Sequence, residues 1–391
     1  MKEHLIDKFI QVLKITVSKK LDEIVALHEP EIGTPEKSLV LDCLDSGWVS
    51  SNGSYVKKFE EKITQVTGAK YAVATVNGTT ALHVALLISG VMPNDEVIVP
   101  ALTFVATANA VKHCGACPSF VDSDMTTLGM SPTSLRAYLK NNTRIVDGQT
   151  VNKNTGKRIG AIVPMHTFGH PAQVDKIKIV ADEYGIAMVE DAAESLGSFR
   201  DKIHTGLFGQ VGVVSFNGNK IITAGGGGVL ITSDENLWEK ALHISSTAKI
   251  PHRWEFIHDE VGFNYRLPNL NAALGCAQLD RLDEILQRKR MLAKAYQKAF
   301  EKVEGIEFII EPANSRSNYW LNCIKLSKPN MTLRDDLLNA AHLAGYQCRP
   351  VWTLCNKLPM YKSNQKSELH VAQCLEASVI CLPSSPALVS A

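Results

Sequence analysis

A chain of 391 residues, 45% hydrophobic and 21% charged, is long enough to bury one large core and a smaller second one. Its 41 lysines and arginines stand against 40 aspartates and glutamates, so no global field recruits nucleic acid or an anionic membrane, and any anionic ligand must be held locally. The apolar runs are too interrupted to span a bilayer and no cleavable apolar segment follows Met1, which places the chain in the cytoplasm; nine scattered cysteines, an odd number, are not the framework of a disulfide-stapled secreted domain.

In chain order, Leu5, Phe9, Leu13, Val17, Leu21 and Val25 recur every four residues, with Ile6 and Ile10 beside them. The pattern predicts an amphipathic helix over residues 1–27. Its expected role is docking on the body or on a second subunit. Acidic Glu3, Asp7, Asp22 and Glu23 interrupt the basic face that a membrane-surface helix would need.

From Gly53 to Thr232, helical periods such as Val56, Phe59, Ile63 and Val66 alternate with short apolar runs at 71–76, 97–99, 161–164, 187–189, 211–216 and 229–231. This alternation predicts an α/β domain over 28–268 with a mainly parallel sheet, whose ligands lie beyond the carboxyl ends of the strands. Within it, His113, Cys114 and Cys117 form H-C-x-x-C, a spacing open to a redox pair or half a zinc site. No second C-x-x-C completes four ligands, and Pro118, Phe120 and Val121 follow, so a plain helix-to-strand junction is preferred and no metal is expected. Residues 141–160 are polar and turn-rich, an inserted surface hairpin or loop. After Pro268, Leu270, Leu274, Leu282, Ile285, Leu286 and Leu292 trace one long helix over 269–304. It leads to a small α+β domain over 305–391, with a strand near 347–351.

Three clusters carry chemistry. Asn77-Gly78-Thr79-Thr80-Ala81-Leu82 follows the first strand and opens a helix; a glycine turn there offers backbone N–H groups and a positive dipole end to a phosphate, although Thr79 also reads as a simple cap. Asp191, in Glu190-Asp191-Ala192-Ala193-Glu194, ends another strand, where a carboxylate can keep a pyridine ring protonated. Lys220, in Ser215-Phe216-Asn217-Gly218-Asn219-Lys220, follows a third strand and precedes Gly225–Gly228, a position suited to a Schiff base. The glycine run lacks G-x-G-x-x-G spacing, which argues against a dinucleotide oxidoreductase.

A phosphate turn, then an aspartate after a strand, then a lysine is an order that resembles fold-type I pyridoxal-phosphate enzymes. Across almost its whole length the chain resembles the DegT/DnrJ/StrS family of sugar aminotransferases. The phosphate turn of that family appears as Asn77 to Leu82, its P-x-x-T-F-x-A-T-x-N-A segment as Pro100 to Ala110, and its E-D-x-A block as Glu190 to Ala193. Its S-F-x-x-x-K block appears as Ser215 to Lys220 and its G-x-N-Y-R segment as Gly262 to Arg266. The resemblance implies an aspartate aminotransferase-like α/β fold: a large domain with a mainly parallel seven-stranded sheet, plus a small C-terminal α+β domain.

It also implies roles. Phe104 stacks on the pyridine face, Asp191 binds the ring nitrogen, and Gly78, Thr79 and Thr80 with Ser215 hold the phosphate of pyridoxal 5'-phosphate. Ala193 and Glu194 flank the cofactor; many members have glutamine where this chain has Glu194, which leaves the contact to the phenolic oxygen open. Many also have G-E-G-G where this chain reads Gly225 to Gly228. Lys220 carries the cofactor and moves the proton, and argues against the related dehydratases, which have histidine there. Asn264 reaches the phosphate of a neighbouring subunit, so a homodimer with shared active sites is implied. Trp48, Ser50, Tyr319 and Trp352 border the sugar-nucleotide cleft, with ordinary packing the other reading of each aromatic.

The N-terminal helix, the His28 to Gly33 entry, the polar insert, residues 258–268 and Arg349-Pro350-Val351-Trp352 are together most similar to the legionaminic acid and bacillosamine branch. That branch implies amination of C4 of a UDP-linked 2-acetamido-4-keto-6-deoxyhexose, with glutamate as donor. A 3-aminotransferase on a dTDP-keto-sugar, or a transaminase of a related keto-sugar acid, is the alternative. A non-catalytic subunit of the same fold would have little need of Lys220 and Asp191 together.

Overall fold

The computed structural model describes residues 2–17 and 24–389. Its core is a seven-stranded sheet in the order Tyr71–Thr75, Gly228–Thr232, Val211–Ser215, Ala187–Asp191, Ile159–Ile162, Glu96–Pro100 and Cys117–Val121. Neighbours from Val211–Ser215 outward to Cys117–Val121 run parallel. Gly228–Thr232 alone runs antiparallel, to both its neighbours. Four of the central strands are buried at every residue. Burial on both faces explains why they read as continuous apolar runs and not as alternating ones.

Helices cover both faces. Gly78–Ile88 and Val105–His113 pack Leu82, Leu86, Ala108 and Val111 against Val97, Val99 and Val213. On the other face Pro132–Asn142 and Val174–Glu183 bring Leu135, Leu139 and Ile177 against Ile98 and Ile162. The parallel strands therefore point their carboxyl ends to one edge, where the loops after Thr75, Pro100, Asp191 and Ser215 meet.

Several expectations were sharpened or corrected. The H-C-x-x-C segment is a helix-to-strand junction, with the helix ending at His113, the strand starting at Cys117 and all nine cysteines free. The polar insert is a hairpin, Thr143–Val146 with Gln149–Asn152, turning through Asp147 and Gly148, both at positive φ as a tight two-residue turn requires. It is not merely a surface loop: Asn152 Nδ2 donates to the buried carboxylate of Glu96 at 2.8 Å, which Ser119 and Thr155 also satisfy. The single long helix over 269–304 is two, Asn269–Asp280 and Leu282–Phe300, broken at Arg281. The first packs on helix Ser54–Thr67, the second on the small domain, and Arg281 at the joint is paired with Glu31 and Glu36.

The N-terminal helix spans Lys2–Thr16 and stops short of the predicted 1–27. Leu21, Asp22 and Glu23 lie outside the described residues. Val25 forms a parallel bridge with Tyr346 instead of a helical turn, its N–H donating to the Gly345 carbonyl at 2.9 Å. The helix docks on the body of its own chain: Phe9, Val12 and Leu13 join Leu292, Tyr296, Phe300 and Leu337 in one apolar cluster. The small domain is a four-stranded antiparallel sheet in the order Ile306–Phe308, Asn322–Leu326, Val379–Leu382 and Arg349–Pro350, backed by helix Met331–Leu343. No helix among the described residues is long and apolar enough to cross a membrane.

Candidate active site

The sheet edge and the small domain enclose a cavity of about 670 Å³. On its floor, the helix beginning at Gly78 follows strand Tyr71–Thr75 after two residues. The cap is Asn77, whose Oδ1 accepts from the Thr80 N–H at 2.8 Å, so that amide is already engaged. Gly78 and Thr79 line the cavity; Thr80 does not. A Cβ on Gly78 would lie 3.0 Å from the Cβ of Ser215. Only glycine lets the helix start and the end of strand Val211–Ser215 approach this closely, and together they form a cradle for an anion at a positive helix end.

Asp191 ends its strand beneath the cavity, 2% exposed. Thr107 Oγ1 donates to its Oδ2 at 2.7 Å and the Ala193 N–H to its Oδ1 at 3.1 Å; Thr103, one helical turn before, hydrogen-bonds the Thr107 hydroxyl at 2.8 Å. Burial pushes the Asp191 carboxyl up, and these donors with Lys220 and His166 oppose the shift. A buried carboxylate fixed from behind is the partner a protonated ring nitrogen needs.

Lys220 comes from the loop after Val211–Ser215. Its Nζ lies 3.2 Å from Glu194 Oε1 and 4.0 Å from the centre of the Trp320 ring. Trp320 is fixed in turn by its Nε1–H, which donates to the Asn219 carbonyl at 2.7 Å. Glu194 is buried, its Oε2 accepting from the Phe168 N–H at 2.9 Å. Burial pushes its carboxyl up to about 7, against the pull of Lys220. Opposite, Phe104 caps helix Val105–His113 and stays 47% exposed, its ring 6.1 Å from Trp352, which packs on Phe168 at 4.8 Å. An aromatic face left open over an amine, a carboxylate and an anion cradle fits a flat, phosphorylated, protonated ring.

Of the residues singled out in the sequence, Gly78, Thr79, Phe104, Asp191, Ala193, Glu194, Ser215, Lys220 and Trp352 line this cavity. Thr80, Trp48, Ser50, Tyr319 and Asn264 do not. Trp48, Ser50 and Asn264 are exposed on the surface of the chain. Tyr319 is buried outside the lining of this cavity, its hydroxyl accepting from the Glu311 N–H at 2.9 Å and its ring against His170. The sequence reading missed Thr107, Trp320 and His28. Thr107 carried a signal, standing one helical turn after Thr103 inside the Pro100 to Ala110 segment. Trp320 carried none, because it meets the site only through the small domain, and His28 stood out only as the first residue of the His28 to Gly33 entry.

Known proteins share the sequence and the fold of this chain. The model described as the DegT/DnrJ/EryC1/StrS aminotransferase family matches residues 30–391. A GDP-perosamine synthase of Escherichia coli O157:H7 is 36% identical, covering 93% of this chain and 94% of its own length. The putative pyridoxal phosphate-dependent aminotransferase EpsN of Bacillus subtilis is 35% identical, covering 92% and 90%. The crystal structure of the aminotransferase TlmJ from Streptoalloteichus hindustanus superposes with a TM-score of 0.84 at 27% identity, over 94% of this chain and 95% of that one. With its cradle, buried aspartate and cavity lysine in the order of that family along the whole length, the chain belongs to the DegT/DnrJ/EryC1/StrS family and is a pyridoxal-phosphate-dependent sugar aminotransferase.

Proposed function

We propose that this enzyme takes the amino group of glutamate and delivers it to C4 of a UDP-linked 2-acetamido-4-keto-6-deoxyhexose, in the biosynthesis of an amino sugar of the legionaminic acid or bacillosamine type. The observation that carries the transamination reading is the presence of Lys220, Asp191 and the Gly78 cradle in one cavity of about 670 Å³, roomy enough for a cofactor and the hexose above it. Pyridoxal phosphate supplies the electron sink for negative charge at the carbon that loses or gains the amine. Asp191 holds the ring nitrogen in its cationic form, and Thr107 holds Asp191. Gly78, Thr79 and Ser215 take the phosphate, with Phe104 against the ring. Lys220, aligned by Glu194 and Trp320, is the single base that moves a proton in both halves of the reaction.

The substrate reading is supported by where the branch-specific segments lie. The stretch Arg349 to Trp352 lines the cavity, so one of the segments similar to that branch stands where it can meet the sugar. The relatives named GDP-perosamine synthase favour a second reading, in which the nucleotide is guanosine diphosphate.

We also propose a homodimer with shared sites, in which Asn264, Trp48 and Ser50 reach the cavity of the partner. Asn264 lies next to an exposed apolar segment, with Trp254, Phe256 and Val261 at 68, 80 and 87% exposure. Large side chains are rarely left to water in such a group unless something covers them.

The test is a panel of UDP-, GDP- and dTDP-linked 4-amino and 3-amino sugars, incubated with the cofactor-loaded enzyme and 2-oxoglutarate. Glutamate should form fastest with the UDP-linked 2-acetamido-4-amino sugar, and product NMR fixes the carbon. Preference for a GDP-linked or a 3-amino sugar overturns the substrate reading and leaves the reaction type standing.

A further inference from the structure

The segment that enters the large domain carries a histidine that the reaction described above does not use. His28 lines the cavity, is 9% exposed, and has no hydrogen-bond partner at either ring nitrogen. Buried polar groups are nearly always satisfied, so one left open toward a cavity points to a ligand. Nor is the segment loosely held. The Gln347 N–H donates to the Val25 carbonyl at 2.9 Å, the Ser384 N–H to the Leu27 carbonyl at 2.7 Å, and the Glu29 N–H to Ser385 Oγ at 2.8 Å. The backbone on both sides of His28 is thus fixed to the small domain.

The charges around the ring select what it would take. Lys289, on helix Leu282–Phe300, is fully buried, its Nζ donating to the carbonyls of Trp320, at 2.9 Å, and Ser384, and burial holds its pKa well below the usual lysine value. Burial, then Lys289 and Lys220, hold the His28 pKa well below the usual histidine value. The cavity carboxylates are occupied elsewhere, Glu194 with Lys220 and the Phe168 N–H, Asp191 with Thr107 and the Ala193 N–H. The imidazole is therefore neutral, with one N–H to give. A sugar hydroxyl takes an ordinary hydrogen bond from that N–H; a carboxylate takes a charge-assisted one, roughly twice as strong.

We propose that His28 is the receptor for a carboxylate of the amino donor, donating its ring N–H to a carboxylate oxygen while the donor's amino group is held beside Lys220. The proposal rests on the reading of glutamate as donor. It meets a demand of the chemistry: an anionic amino acid and a hexose occupy the same place in turn. A neutral imidazole recognises the first without setting a permanent charge against the second.

The holoenzyme is compared as wild type, His28→Leu and His28→Asn in two measurements. One is equilibrium binding of glutarate, a dicarboxylate with no amine to transfer; the other is the two half-reactions taken separately, glutamate alone and amino-sugar nucleotide alone. His28→Leu fills similar space without open polar atoms and should melt no lower than wild type. It should weaken glutarate binding and raise the KM for glutamate about tenfold or more, as loss of a charge-assisted hydrogen bond does, while the sugar half-reaction stays within about twofold. His28→Asn, which keeps a donor, should fall between; it decides the matter alone if the leucine variant does not fold. Glutarate binding within about twofold of wild type in both variants, or equal losses in both half-reactions, overturns the proposal. Wild-type turnover of glutamate checks the donor reading separately: if another amino acid is used instead, that reading falls, and the role of His28 is then read from the half-reaction with the donor that works.

Discussion

Lys220 Nζ and Glu194 Oε1 lie 3.2 Å apart, an amine and a carboxyl group paired in the wall of the cavity. The pair lasts only while the amine is free. Were the amine held by the cofactor without its charge, Glu194 would stay buried without its cation. Burial, which already pushes the carboxyl up to about 7 against the pull of Lys220, would then favour its protonated form. Protonated, it has the shape and the donor of a glutamine, the residue that many family members carry there.

Glu194→Gln should therefore keep transaminase activity within about tenfold of wild type at pH 7, since one neutral donor replaces another. Its effect on stability depends on pH. The carboxyl titrates near 4.3 when unfolded and at about 7 in the folded cofactor-free protein. The folded state thus gains from the protonated form below the lower value, and that gain is lost as pH rises through the upper one. The difference should reach about 3 kcal/mol by pH 8. Urea unfolding of the cofactor-free protein at pH 5 and pH 8 checks it: wild type should lose more stability than the glutamine variant across that interval. Equal losses refute the burial argument.

Borohydride reduction of the cofactor-loaded enzyme should abolish its visible absorption and fix the cofactor to Lys220, as peptide mapping will read. Lys220→Ala should lose activity by about a thousandfold or more, because attachment and proton transfer both depend on that amine. Labelling of a different lysine would remove Lys220 from its role.

Asp191→Ala should retain the fold by circular dichroism and slow the glutamate half-reaction at least about a hundredfold, through loss of the buried charge at the ring nitrogen. Thr107→Val is the finer probe. It deletes the hydroxyl 2.7 Å from Asp191 Oδ2 and should cost about 1 kcal/mol, near fivefold in rate. Near-normal kinetics in Asp191→Ala would sink the assignment.

Mixing inactive Lys220→Ala and Asn264→Asp chains should restore part of the wild-type activity, if Asn264 serves the partner's site. Asn264→Asp sets a carboxylate against the cofactor phosphate, a strongly unfavourable approach of like charges. One site of each mixed dimer carries both substitutions, and the other carries neither. A double mutant mixed with either single mutant is the control, since it regenerates no intact site. Absence of recovery in verified heterodimers places Asn264 elsewhere.

The large domain was legible in the sequence because its strands are buried on both faces and announce themselves as apolar runs, each followed by polar residues at the same sheet edge. Asp191 and Lys220 stand at two such ends, and their order revealed them. What stayed hidden depends on the small domain. Trp320, His28 and Lys289 acquire their meaning from contacts across long stretches of sequence, which no local periodicity records. The helix break at Arg281 escaped for the same reason: the leucine pattern runs through it, and the partners of Arg281, Glu31 and Glu36, are remote in the sequence. The end of the first helix at Thr16 was missed because Val25 continues the four-residue spacing while its backbone is claimed by Tyr346.

That bridge between Val25 and Tyr346 has a consequence for how the molecule is made. On the ribosome, the helix Lys2–Thr16 emerges long before most of its partners, Leu337 and Ile380 among them. The apolar stripe of Phe9, Val12 and Leu13 must wait while the whole seven-stranded sheet is synthesised, open to aggregation or to capture by a chaperone. Strand Val379–Leu382 closes a core that this helix began, so two segments more than 360 residues apart depend on one another for their burial.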